Sequence, residues 1–161
     1  MSRRIQIYTD GSSIGNPGPG GYGIIMEWKG KDYVKEFSKG FRLTTNNRME
    51  LLAVIIALES LKIQPMEVMV FSDSKYVIDA VQKKWVFNWE KKQFSGKKNQ
   101  DLWQRYLLIH RKHRVRFQWV KGHNKHPQNE RCDILAVNAA KEKNKKIDHY
   151  FENSIKGISK S

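Results

Sequence analysis

Residues 4–9 alternate polar and apolar, Arg-Ile-Gln-Ile-Tyr-Thr, which is the period of a strand with one buried face. This strand delivers Asp10 at its end. Residues 11–23 hold six glycines and two prolines and read as a turn between two strands. Strands are predicted over 21–28 and 32–41, joined by a Lys29-Gly30-Lys31 hairpin turn. A long helix follows over 46–62. It carries apolar residues on most of its faces (Met49, Leu51, Leu52, Val54, Ile55, Ile56, Leu58) and should be buried on more than one side. Pro65 ends it. Val68-Met69-Val70-Phe71 is a continuous apolar run, as expected for a strand inside a parallel sheet, and Asp73 follows it.

A short helix is predicted over 74–82, a helical stretch with an irregular loop over 84–98, and a helix over 101–113. The last strand spans 114–120. After a polar loop to about residue 128, a final helix puts Cys132, Leu135, Ala136, Ala139 and Ala140 on one side. Three strands followed by helix, strand, helices, strand and helix predict an α/β fold: a five-stranded mixed sheet, three strands antiparallel and the rest parallel, with helices on both faces. Periodicity is lost after residue 144, so residues 1–144 are expected to form the domain and 145–161 a basic, partly mobile tail.

Charge narrows the function classes. Thirty Lys+Arg against sixteen Asp+Glu give a net charge of +14, which points to a polyanionic partner. A membrane surface is disfavoured, because the longest apolar run, Leu51–Leu58, is far short of the roughly 20 residues a spanning helix needs. Met1-Ser2-Arg3-Arg4 leads straight into a strand pattern with no apolar signal region. The single cysteine, Cys132, excludes an intrachain disulfide and a zinc ribbon. A cytoplasmic monomer is the expectation.

Against that basic background, four acids occupy coherent positions: Asp10, Glu50, Asp73 and Asp133 lie at strand ends or early in helices. Taken singly each has a bland reading. Asn47-x-x-Glu50 fits a capping box, Asp73 fits a helix cap, Asp10-Gly11 is a common turn pair, and Asp133 fits a solvated helix face. Taken as a set they converge where open α/β sheets collect functional groups. Clustered carboxylates on a polyanion-binding chain imply hard divalent cations, Mg²⁺ with Mn²⁺ as substitute. Four such groups can hold two ions about 4 Å apart, one to activate a water and one to stabilise a leaving 3′ oxygen. Thr44-Thr45-Asn46-Asn47 precedes the central helix and suits a phosphate. Residues 83–98 hold six lysines, one glutamate and four aromatics, suited to gripping a nucleic-acid backbone or to a solvated face with a small apolar anchor. The glycine-rich turn lacks a GK[ST] ending and leads into a strand, so it is not a nucleotide-binding P-loop.

The strings TTNNRMEL (44–51), DSKYV (73–77), DLWQR (101–105), WVKGH (119–123) and NERCD (129–133) resemble type 1 ribonuclease H in its bacterial single-domain form, over about residues 4–140. That resemblance implies a ribonuclease H-like fold and an endonuclease that hydrolyses the RNA strand of RNA–DNA hybrids. It implies two Mg²⁺ ions held by Asp10, Glu50, Asp73 and Asp133, and products with 5′-phosphate and 3′-hydroxyl ends. His123 matches the family's active-site histidine, which assists proton transfer and product departure. Trp85, Asn88, Trp89, Lys91 and Lys92 fall in the basic protrusion that grips the DNA strand. Thr45 with Asn88 should hold a DNA phosphate, and Asn16, Asn46 and Asn47 should face the minor groove. Lys75 stands where the family often carries a glutamine, and a lysine cannot accept a hydrogen bond. Glu90 and Gln93-Phe94-Ser95 also depart from the pattern and predict a weaker grip. The rival reading is a non-catalytic nucleic-acid-binding module on the same fold.

Overall fold

The computed structural model describes residues 3–28, 30–122 and 126–159. The chain runs β1 (Arg4–Ser13), β2 (Gly18–Trp28), β3 (Tyr33–Thr44), α1 (Asn46–Glu59), β4 (Glu67–Ser72), α2 (Lys75–Gln82), α3 (Trp85–Lys91), α4 (Gln100–His110), β5 (Arg114–Trp119), α5 (Pro127–Ala140) and α6 (His149–Ser159). One five-stranded sheet has the order β3-β2-β1-β4-β5. Strands β1, β2 and β3 pair antiparallel, while β4 pairs parallel with both β1 and β5. The expected mixed sheet is therefore observed.

Alternation along β1 explains the layering. Ile5 and Ile7 point into the main core with Met49, Leu51, Ile55 and Trp103, whereas Tyr8 points to the opposite face beside Cys132 and Ile25. Helix α1 fills the first face, and nine of its fourteen residues are buried, so the expectation of burial on several sides holds. Trp103 and Tyr106 of α4 close that core from outside and are fully buried. At about 1.5–3 kcal/mol for each fully buried large apolar side chain, this layer is the principal source of stability.

Helix α5 covers the other face over β1, β2 and β3. It approaches closely because small residues meet: a β-carbon on Gly21 would lie 2.6 Å from the Ala136 carbonyl oxygen and 2.9 Å from Ala139 Cβ.

Two expectations change. Strand β1 does not stop at Asp10, because Gly11, Ser12 and Ser13 pair with Tyr22, Gly21 and Gly20. The irregular turn shrinks to residues 14–17, since a glycine-rich stretch still offers backbone groups to a ladder. Lys29 of the hairpin turn lies outside the described residues.

The segment after residue 144 continues in regular structure. It docks: Lys146 bridges to Phe41, and α6 follows. Its anchors are polar and so invisible to hydrophobic periodicity. Asp148 takes Arg48 Nε at 2.7 Å and Thr44 Oγ1 at 2.8 Å, and Glu152 takes Arg42 Nη2 at 2.8 Å.

Candidate active site

Tyr8 of β1 and Phe71 of β4 are register partners with stacked rings 4.7 Å apart. Asp10 and Asp73 each follow two residues later, so parallel pairing alone brings them together at one end of the sheet. Glu50 arrives from the first turns of α1. Each of these three acids offers one carboxylate oxygen, and those oxygens lie within 4.8 Å of one another.

The local bonding removes two of the bland readings. The N-cap of α1 is Thr45, whose hydroxyl accepts from Arg48 N at 3.2 Å, so Glu50 closes no capping box with Asn47. The N-cap of α2 is Ser74, which accepts from Val77 N at 3.3 Å, so Asp73 is not the cap.

Electrostatics set the site apart. Burial pushes the Asp10 carboxyl up to about 8, the charges of Asp73 and Asp133 add to the rise, and hydrogen bonds from the Gly11 amide and with Glu50 oppose it. Glu50 is also raised well above the carboxylate range, by burial first and then by the charges of Asp10 and Asp73. Glu50 Oε2 is buried with no hydrogen-bond partner among the described residues. Packing repelling, desolvated carboxylates together is costly unless a cation compensates them. An all-oxygen donor set with an orphaned buried oxygen fits a hard divalent ion.

The acids open into a cavity of about 710 Å³ that Asp133, Asn46, Asn47 and Lys75 also line. Asp133 stands on the α5 wall. It shares the cavity and raises Asp10, but it is not within the tight group of three. His123 lies outside the described residues. Its neighbour His126 caps α5, its Nδ1 accepting from Asn129 N at 3.4 Å ahead of Pro127. Pro127 then stands at the first helical position, where its missing N–H leaves no bond unmade.

The polar residues beside the acids are already organised. Asn16 Oδ1 accepts from Asn46 N at 3.1 Å, and Ser13 Oγ donates to Asn46 Oδ1 at 3.0 Å. Ser13 was not singled out from sequence, where it looked like part of a turn; its place on a paired strand is what aims it at Asn46.

The basic protrusion is held on a hydrophobic root. Val86 and Phe94 are buried, and Trp89 packs edge-on against Trp103 at 5.8 Å. Phe94, the unusual residue in its triplet, folds inward. Trp85 is exposed, with Lys83 over its ring at 5.1 Å, and Asn88, Lys91 and Lys92 are exposed on α3 or at its end. A groove of about 390 Å³ runs between Trp85, Trp89, Lys97 and Lys98, and Lys75 and Tyr76 line both this groove and the acidic cavity. Lys97 and Lys98 line this groove, and Lys91 and Lys92 are not among its lining residues. Left-handed backbone at Gln93, Phe94 and Asn99 turns the loop that way. Glu90 does not add a free negative charge, because Arg111 neutralises it through two bonds of 2.6 and 2.9 Å.

Comparison with known proteins agrees with this architecture. The profile of the family described as RNase H matches residues 2–141. The ribonuclease H of Desulforamulus reducens is 51% identical over 151 residues, covering 91% of this chain and 93% of the relative. That of Shewanella sp. is 52% identical over 153 residues, covering 92% and 96%. Among solved structures, LC9-RNase H1, described as a type 1 RNase H with the type 2 active-site motif, superposes with a TM-score of 0.78 at 33% identity, covering 87% of this chain and 73% of that one. LC11-RNase H1, solved in complex with an RNA/DNA hybrid, gives 0.66 at 27% identity, covering 84% and 96%.

Proposed function

This chain belongs to the ribonuclease H family and is a hydrolytic endoribonuclease, and from that premise we propose that it cuts the RNA strand of RNA–DNA hybrids in the cavity of Asp10, Glu50, Asp73 and Asp133. The reading makes the four carboxylates the holders of two divalent ions and gives 5′-phosphate and 3′-hydroxyl products. Bound there, Mg²⁺ or Mn²⁺ supplies charge stabilisation at the phosphodiester and a water of lowered pKa for in-line attack.

The chain's own groups do the rest. Asp10 and Glu50 must lose the protons that burial favours before they can ligate, which couples activity to pH. Asp133, on the opposite helix, completes the ligand set. Asn16, Ser13 and Asn46 form a pre-bonded row facing the minor groove, with Asn47 beside them. Such a row selects the RNA strand through its 2′-hydroxyls without reading bases. Thr45 and Asn88 bind a DNA phosphate, and the protrusion with Trp85, Trp89, Lys91 and Lys92 steadies that strand. His123 holds the proton for the departing 3′ oxygen. The enzyme acts as a cytoplasmic monomer; among the described residues no helix is long and apolar enough to cross a membrane.

One observation carries the reading: three carboxylates offer oxygens within 4.8 Å of one another beneath a cavity mouth on a chain of net charge +14. The test is a labelled hybrid incubated with and without Mg²⁺, beside single-stranded RNA, double-stranded RNA and double-stranded DNA. Metal-dependent cutting of the hybrid's RNA strand alone is expected. Binding without cutting in both Mg²⁺ and Mn²⁺ would make the protein a binding module instead.

A further inference from the structure

Lys75 is the first residue of α2, where the helix presents its positive end. Asp73 precedes the Ser74 cap, and the carboxylates of the acidic cavity stand on one side of Lys75. Its ammonium also meets an aromatic face. Lys75 Nζ lies 4.6 Å from the centre of the Trp119 ring, within the range of a cation–π contact. Trp119 is fixed in turn, its Nε1 donating to the Asp73 carbonyl at 3.3 Å. The same lysine lines both the acidic cavity and the groove of Trp85, Trp89, Lys97 and Lys98.

We infer that Lys75, stacked on Trp119, grips a backbone phosphate of the hybrid where the duplex passes from the acidic cavity to the lysine groove. The inference rests on the hybrid-cleaving reading above and extends it to a residue at which this chain departs from the family pattern.

Chemistry favours a phosphate over a base edge or a ribose hydroxyl. An ammonium has three donors and no acceptor, so it gains most from an anionic oxygen. The α2 N-terminus adds positive potential at the same rim, which deepens an anion site there. The indole face orients the cation while leaving its donors open to a ligand. A glutamine amide in this position would have only neutral hydrogen bonds to offer, whereas the lysine brings a charge. Trp119 is then a positioning residue that acts through Lys75.

The consequence is a specific salt signature. Each phosphate neutralised by a cation contributes about −0.9 to the slope of log affinity against log salt on duplex DNA. The experiment measures hybrid affinity over a salt series in Mg²⁺ on the cleavage-silent Asp10→Asn background, with Lys75→Gln, Lys75→Arg and Trp119→Leu added singly, and Lys75→Gln with Trp119→Leu together. Lys75→Gln should weaken binding at low salt and flatten the slope by roughly 0.9, so that its affinity falls roughly 3.5-fold less between about 50 and about 200 mM salt. Lys75→Arg should retain the slope. Trp119→Leu should reproduce part of the loss and add little on top of Lys75→Gln.

An unchanged slope with Lys75→Gln overturns the inference, whether affinity is also unchanged or falls through loss of a neutral contact. A fully additive double variant overturns the positioning role of Trp119. The unsubstituted protein, run on the same hybrid for cleavage, separates the two levels. Failure to cut sinks the hybrid-cleaving reading itself, while cutting with an unchanged Lys75→Gln slope sinks only the lysine's role.

Discussion

Gly11 in β1 lies directly against the backbone of Glu50 in α1: a β-carbon on Gly11 would stand 2.9 Å from Glu50 Cα and 2.5 Å from the carbonyl carbon of Met49. The strand that carries Asp10 and the helix that carries Glu50 meet there with no side chain between them. The separation of the two carboxylates is therefore set by backbone contact.

Gly11→Ala should wedge the two elements apart. Overpacking of this kind costs about 1–3 kcal/mol, and displacing a catalytic group by about 1 Å can cost roughly 10²-fold in rate. The expected result is a lower Tm and a kcat reduced far more than hybrid affinity. Steady-state cleavage and thermal melts check it; full activity at an unchanged Tm would show that the contact is dispensable.

The protons on Asp10 and Glu50 make a stability prediction for the metal-free protein. Asp10 titrates near 3.8 in the unfolded chain and at about 8 in the folded one. Between those values the folded state binds a proton that the unfolded state has released. The contribution of this group to stability is then full below pH about 4 and declines as pH rises toward about 8, by at most about 1.4 kcal/mol per pH unit. Glu50 shifts in the same direction. Urea midpoints in chelator should fall across this window, and Asp10→Asn should flatten the decline while abolishing cleavage. Saturating Mg²⁺ should oppose the decline, because ligation requires the deprotonated forms. A midpoint that climbs steadily with pH in chelator would contradict the buried-acid account.

Glu90 yields a prediction opposite to the one its charge suggests. With Arg111 paired to it, the two groups cancel, and both are pulled into the ion-pair range: Glu90 lowered and Arg111 raised, chiefly by the hydrogen bonds between them. Glu90→Ala should therefore bring little or no gain in hybrid affinity beyond the release of the Arg111 charge. The pair is exposed and screened by solvent, so Tm should barely move. Fluorescence titration with a labelled hybrid decides it. A tenfold gain in affinity would mean that Glu90 repels substrate despite its partner.

Much of this was legible in the chain. Period-two alternation located β1, a continuous apolar run located β4, and a long apolar stretch ended by Pro65 located α1. The acids stood out because strand ends and helix starts in distinctive strings are where side chains converge. What stayed hidden shares a physical cause. The extension of β1 through Ser13 depends on backbone hydrogen bonds, which leave no side-chain period. The facing of Lys97 and Lys98 depends on left-handed turns at Gln93, Phe94 and Asn99 that their residue types do not announce. The neutralisation of Glu90 by Arg111 and the docking of α6 are charge pairings between residues far apart in sequence, and no local pattern encodes such pairs.

The docking of α6 supports the last prediction. Arg48 is 3% exposed and serves two carboxylates at once: Asp148 at 2.7 and 2.9 Å, and Asp101 at 2.7 and 2.9 Å. Burial opposes the charge on Arg48, but the bonds to Asp101 and Asp148 outweigh it, and its pKa is raised. This cluster ties α1, α4 and the C-terminal segment together one residue beyond Asn46 and Asn47. Arg48→Met would leave Asp148, 8% exposed, facing Asp101 without a cation. Breaking a buried pair this way costs about 3–5 kcal/mol, which for a chain of this size lowers Tm by roughly 6–20 °C. Arg42→Met, which breaks a pair whose arginine is 53% exposed, should cost far less than Arg48→Met. Deleting residues 145–161 removes Asp148 and should approach the Arg48→Met loss. Melting curves of the three variants rank them directly, and a truncated protein that melts with the parent would return the segment to the status of a loose tail.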